Sequence, residues 1–197
     1  WNTESSEKHQ PYSYSKTVAE REAWELAGQQ NAWELTTINP GFVIGPSLTP
    51  RKDSTSIQFM IGMLSGEFKM GLPNLYFGFV DVRDVAQAHI KAALRPGVKG
   101  RHITVGVCMG AKDLAHILWE KYGKKYPLPK RTLPKLLLYL FGPAQGFSWK
   151  FIRRNVGIPI QLDNTYSKQD LDMSYRPVSE TVIDQIDQLR EDGLIPG

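Results

Sequence analysis

The amino-acid sequence predicts an α/β architecture: a doubly wound, mostly parallel sheet with helices on both faces, and a small, mostly helical lobe beside it. Three observations point there. Helical and strand-like periodicities alternate from Ser13 to Tyr122, which implies right-handed crossovers between parallel strands. The strand-like runs are short and alternate with helices of a length that covers a sheet on both faces. From Lys124 the alternation gives way to prolines, basic residues and leucines, so a second unit is expected there.

Taken in order, Ser13 to about Asn31 carries Ala19, Ala23, Leu26 and Ala27 at helical spacing, with charged residues around them and no Gly or Pro before Gly28. That spacing predicts a helix. Glu34 to Asn39 is rich in β-formers and is halted by Pro40-Gly41, which reads as a buried strand ending in a turn. A helix from about Thr55 to Leu64, a strand around Leu75 to Val82, a helix from Arg83 to Leu94, a strand around Arg101 to Val105 and a helix from Ala111 to Tyr122 follow. Asp84 is expected to cap the helix that it opens, while Asp81 faces either a cleft or solvent. Cys108 and Met109 are expected in the core. Beyond Lys124, the Leu-rich run and the aromatic and basic stretch Phe147 to Arg154 suggest short helices, Asn164 to Pro177 reads as polar turns, and Val182, Ile183, Ile186 and Leu189 mark a closing amphipathic helix. The expected division is residues 1–123 and residues 124–197.

Composition narrows the function. Of 197 residues, 41% are hydrophobic and 22% charged, which excludes disordered and fibrous chains. A formal charge of +4 spread along the chain gives no nucleic-acid footprint. One cysteine and four histidines without ligand spacing imply neither disulfide nor metal, and fit a reducing, cytoplasmic setting. No apolar run approaches the roughly 20 residues that span a bilayer, so no membrane partner is expected. The basic cluster Lys124, Lys125, Lys130, Arg131 and Lys135 is read as an ordinary solvated face, with a membrane-surface contact as the other possibility.

Chemistry concentrates at Tyr12 and Lys16. Four residues apart on a helix, they share one face, about 5–6 Å between Cβ atoms. Their stripe runs on through Ala19, Ala23 and Leu26 and is expected to pack on the sheet. A tyrosine acting as acid or base near neutrality needs its pKa of about 10 lowered by roughly three units, about 4 kcal/mol. A fixed ammonium about 6 Å away contributes nearly 3 kcal/mol at an effective dielectric of 20. Spacing alone is weak evidence, because Tyr126 and Lys130 repeat it around Pro127 and Pro129, where no regular helix is possible.

Context adds to the spacing. The run Pro11-Tyr12-Ser13-Tyr14-Ser15-Lys16-Thr17-Val18-Ala19-Glu20, the run Ile38-Asn39-Pro40-Gly41-Phe42-Val43-Ile44-Gly45-Pro46 and the run Phe79-Val80-Asp81-Val82-Arg83-Asp84-Val85-Ala86 together resemble the extended short-chain dehydrogenases/reductases, the NAD-dependent epimerase/dehydratase superfamily. The likeness is to its dihydroflavonol reductase and cinnamoyl-CoA reductase branch. The resemblance implies a Rossmann-like fold and NADP or NAD as cofactor. It implies Tyr12 as proton donor and Lys16 as its partner and ribose contact, with the turn Pro40, Gly41, Phe42 and Val43 against the nicotinamide carboxamide. Gly41 is expected to permit the close approach of cofactor, and Ser56 is a further candidate contact.

The sequence also departs from that pattern. Neither a GxGxxG nor a GxxGxxG turn occurs in it, and the serine or threonine that normally precedes the tyrosine on a separate strand is missing. The expectation is therefore the C-terminal portion of a longer NAD(P)-dependent reductase of small or aromatic aldehydes and ketones, inactive alone. Its expected partners are a carbonyl or alcohol substrate and a missing N-terminal segment, with monomer and homodimer both open. The rival readings are a sugar-nucleotide epimerase or dehydratase, and a non-catalytic dinucleotide-binding regulator.

Overall fold

In the computed structural model, which describes residues 1–196, the chain enters helix α1 (Pro11–Gly28) at a proline. Proline suits a first helical turn, where its missing N–H removes no helical bond. The helix stops at Gly28 rather than continuing to Asn31. Strand β1 (Thr36–Pro40) follows, and Pro40 ends it because it has no N–H for a ladder.

One residue later the chain is extended again, as β2 (Phe42–Ile44), where the sequence suggested only a turn. The cause is tertiary. Strand β1 pairs in parallel with β4 (Gly100–Thr104), Ile38 opposite His102, whereas β2 pairs in parallel with β3 (Tyr76–Asp81), Phe42 opposite Phe79. The chain thus changes sheets at Gly41. The neighbouring run changes sheets at Val105-Gly106 and enters β5 (Val107–Gly110), which lies antiparallel to β3 with Tyr76 opposite Gly110. Strand β5 is an exception to the parallel order, and it places Cys108 and Met109 on a half-buried strand. The Gly41 N–H donates to the Thr104 carbonyl (3.1 Å) and the Gly106 N–H to the Phe79 carbonyl (2.8 Å), so the two crossings are stitched together.

Helices α2 (Thr55–Ser65), α3 (Val82–Leu94) and α4 (Ala111–Tyr122) stand where the periodicity placed them. Beyond α4 come α5 (Lys135–Phe141), a 3-10 turn, α6 (Trp149–Asn155), α7 (Thr165–Asp170) and α8 (Val178–Glu191). Helix α7 falls in a stretch read as turns. Its six polar residues carry no apolar period, and it is held instead by buried Ser167, whose hydroxyl meets the Asn164 carbonyl (2.8 Å) and the Tyr175 hydroxyl (2.7 Å).

The principal core lies between the β2–β3–β5 sheet and helices α2, α4 and α8. Ile44, Met60, Phe79, Leu114, Leu118, Ile186 and Leu189 are among its fully buried members, and it draws on residues from both expected divisions of the chain. Burial of one such side chain contributes about 1.5–3 kcal/mol. Helix α1, by contrast, has no buried residue.

Candidate active site

The side chains singled out in the sequence come from three elements. Tyr12 and Lys16 stand on the first turns of α1, Pro40 to Val43 span the change of sheets, and Ser56 opens α2. All of them line one cleft of about 1020 Å³. It runs between α1 and β1 from Thr37 to the carboxyl end of that strand, where the two sheets part; the carboxyl ends of the strands are where open α/β sheets receive ligands. A separate hollow of about 380 Å³, formed by Lys112, His116, Trp119 and Lys130 among others, contains none of these residues.

Tyr12 is 74% exposed, and the Lys16 ammonium lies 5.6 Å from the centre of its ring. The shared face that the i, i+4 spacing implied is therefore present. Its direction differs from expectation. Tyr12, Lys16, Ala19 and Ala23 look into the cleft instead of packing on the sheet, and Leu26 is half exposed. The sheltered flank of α1 is Ser13, Thr17, Glu20, Trp24 and Ala27, one residue further round the helix.

On that flank Glu20 is the polar centre. Its Oε1 accepts from Thr37 Oγ1 (3.0 Å), Trp24 Nε1 (3.3 Å) and Arg101 Nε (2.7 Å), and its Oε2 accepts from Asn39 Nδ2 (3.0 Å) and Arg101 Nη2 (3.0 Å). The Arg101 fork holds the Glu20 carboxyl at about 2, with Thr37 and Trp24 assisting against the opposing effect of burial. Sequence reasoning passed over Glu20, Thr37 and Asn39. The signal was present, because Glu20 continues the four-residue step from Lys16, and Thr37 and Asn39 share one face of a strand with period two.

The turn is held from the protein's own side. A Cβ on Gly41 would stand 2.1 Å from the Gly78 carbonyl oxygen and 2.9 Å from a Val105 methyl. Strand β3 thus demands glycine here on the protein's own account. The Phe42 ring packs against Phe77 at 5.1 Å and Phe79 at 5.8 Å between centroids, in the aromatic part of the core. The Ser56 hydroxyl lies 3.1 Å from that of Ser54.

Asp81 takes the capping role expected of Asp84, and both aspartates are buried. Asp81 caps α3, with its Oδ1 accepting the Arg83 N–H (2.7 Å), and it also binds the Arg83 fork and the Thr181 hydroxyl (2.8 Å). Burial pushes the Asp81 carboxyl up, and these bonds outweigh it, so it lies below the ordinary carboxylate range. Arg83 reaches on to Asp184 (2.8 Å) and ties α3 to α8. Asp84, in the first turn, is buried and takes the Arg176 N–H (2.8 Å) and guanidinium. Neither aspartate lines the cleft. Among the described residues no group of three or more His, Cys, Asp or Glu is arranged to hold a metal, and no helix is long and apolar enough to cross a membrane.

The cleft has an apolar side of Ile38, Pro40, Phe42 and Val43 and polar groups from Tyr12, Lys16, Ser54 and Ser56; Glu20, Thr37 and Asn39, bonded to one another, also line it. That donor set fits a flat aromatic ring with a polar substituent and a hydroxylated sugar, as a nicotinamide riboside is.

Comparison with known proteins agrees with the fold. The model of the NAD dependent epimerase/dehydratase family matches residues 2–106, just over half of the chain. Cinnamoyl-CoA reductase 2 of Medicago truncatula is 30% identical over 186 residues, 94% of this chain and 48% of the relative. Tetraketide alpha-pyrone reductase 2 of Arabidopsis thaliana is 34% identical over 126 residues, 63% of this chain and 37% of the relative. The crystal structure of yeast methylglyoxal/isovaleraldehyde reductase Gre2 complexed with NADPH matches with a TM-score of 0.66 at 29% identity, covering 90% of this chain and 54% of that one. The chain spans about half the length, or less, of the relatives it matches.

Proposed function

The chain belongs to the NAD dependent epimerase/dehydratase family, and we propose that it carries the nicotinamide side and the proton donor of an NADP- or NAD-dependent carbonyl reductase. The single observation behind this reading is the convergence of Tyr12, Lys16 and the Pro40 to Val43 turn on one cleft. The similarity to reductases of cinnamoyl-CoA, tetraketide pyrones and methylglyoxal favours a carbonyl substrate over a nucleotide sugar.

In this proposal the Tyr12 hydroxyl donates its proton to the substrate oxygen while the carbonyl carbon takes up a hydride, which yields the alcohol; the reverse direction oxidises it. The Lys16 ammonium stabilises the tyrosinate left behind and hydrogen-bonds the ribose hydroxyls. The backbone of Pro40 to Val43 orients the carboxamide, with Ser56 as a further contact. When bound, the reduced nicotinamide supplies the hydride. The glycine-rich turn that receives a pyrophosphate occurs nowhere in this sequence, so these residues are assigned only the nicotinamide end. Residues 124–197 are assigned a substrate lobe followed by the closing helix α8, and the lobe's Tyr139, Phe147 and Trp149 suit small or aromatic aldehydes and ketones.

Tyr12→Phe in the intact natural protein tests the assignment. NADPH binding, followed by fluorescence, should persist, while NADPH oxidation with an aromatic aldehyde falls by roughly 10³-fold. Undiminished turnover would remove Tyr12 from the mechanism.

A further inference from the structure

Every hydrogen bond that joins α1 to a strand, among the described residues, ends on the Glu20 carboxylate. No apolar side chain of α1 is buried to share that task. Two of the four bonds come from Thr37 and Asn39 on β1, and Asn39 is the residue immediately before the Pro40-Gly41 turn. The other two are the Arg101 fork from β4. Arg101 is fixed in turn, with its guanidinium 4.1 Å from the centre of the Trp1 ring. Glu20 lies one helical turn beyond Lys16 and two beyond Tyr12. One carboxylate therefore joins the helix that carries the proposed proton donor to the strand that leads into the proposed carboxamide turn.

Resting on the reading of the cleft given above, we infer that Glu20 is a positioning residue that sets the register between Tyr12 and Lys16 on one side and the Pro40 to Val43 turn on the other. The chemistry requires the ionised form. Both oxygens face only donors, and an ionised carboxylate is acceptor-only. Its Arg101 contacts are of the charge-assisted, two-pronged kind that fixes geometry as well as energy. A glutamine at this position turns an NH₂ toward donors, loses the fork, and frees α1 to shift against β1. A misplacement of about 1 Å in such an arrangement is enough to reduce turnover by about 10²-fold.

The test uses the intact natural protein in steady-state assays with NADPH and an aromatic aldehyde, with Tyr12→Phe in parallel. Glu20→Gln should raise the KM for NADPH about tenfold and lower kcat, with the aldehyde KM little changed. Asn39→Ala removes only the link to the turn and leaves the Arg101 fork in place. It should reproduce the rise in NADPH KM with a smaller change in Tm, and it carries the test if Glu20→Gln does not fold. A purely structural role predicts lowered Tm with unaltered KM and kcat in protein that is folded at the assay temperature, and that result overturns the inference. If Tyr12→Phe is itself undiminished, the reading of the cleft falls and this inference falls with it. If Tyr12→Phe collapses turnover while Glu20→Gln and Asn39→Ala leave the NADPH KM unchanged, only the positioning role is lost.

Discussion

The two flanks of this molecule are held in contrasting ways. Around α4 and α8, Leu114, Leu118, Ile186 and Leu189 are at most 1% exposed, and close apolar packing seats the helices, with the Asp184 and Thr181 bonds of α8 added to it. On the other flank α1 buries nothing and is seated by one carboxylate with its donors. Apolar packing is tolerant of small rearrangement and stabilises by area, whereas a charge-assisted fork fixes position and direction. The residues proposed for chemistry stand on a helix that has no buried residue within this chain, so stability and site geometry can be tested separately.

The largest expected effect lies on the packed flank. Leu118→Ala leaves a cavity among fully buried neighbours and should destabilise the fold by about 2–5 kcal/mol, read as a shift in the urea midpoint at unchanged slope. The same variant, where folded, should bind NADPH as before, because Leu118 lies outside the cleft. A loss below about 1 kcal/mol would mean that this core relaxes as freely as the α1 flank, and the contrast between the two would fail.

How much of this was legible in the sequence follows the same division. Long periodic segments such as α3, α4 and α8 could be read, because packing against a core imposes the 3.6-residue period that reveals them. The seven residues proposed for the site, which line one cleft, could be singled out together because their spacing and motif context are local. The face of α1 that meets the sheet was misread. Ala19, Ala23 and Leu26 look like an inward stripe, yet the seat is polar and runs through Ser13, Thr17 and Glu20. Strand β2 was missed because three residues after a Pro-Gly turn carry too little period. Its existence depends on β3, which lies more than thirty residues away in sequence. The reason for glycine at position 41 lies in a carbonyl of that same distant strand.

Acid should act on the polar seat before it touches the packed core. The Glu20 carboxyl is held at about 2 in the folded chain against an ordinary value near 4.5. It binds fewer protons folded than unfolded across that interval. Its contribution, on the order of 3 kcal/mol, is thus complete above about pH 4.5 and is lost as pH falls toward 2. Asp81, also held below its ordinary range, changes stability in the same direction. Urea unfolding at pH 6, 4 and 3 should show stability falling with acid, with a visibly shallower fall for Glu20→Gln. Equal slopes for the two proteins would show that the Arg101 fork contributes nothing to stability.

The smallest effect sharpens the comparison most. Leu26 belongs to the stripe that the sequence placed against the sheet, yet it is 51% exposed, whereas Leu118 is 1% exposed. Truncating both to alanine removes the same atoms, so the difference between the two losses isolates burial from chemistry. Leu26→Ala should change stability by no more than about 0.5 kcal/mol. Alanine's higher helix propensity works slightly in its favour at an exposed helical site. A loss of about 2 kcal/mol or more, measured by the same urea titration, would mean that the outward stripe of α1 is packed against something. The helix would then have an apolar seat as well as a polar one, and Glu20 would not be its sole anchor.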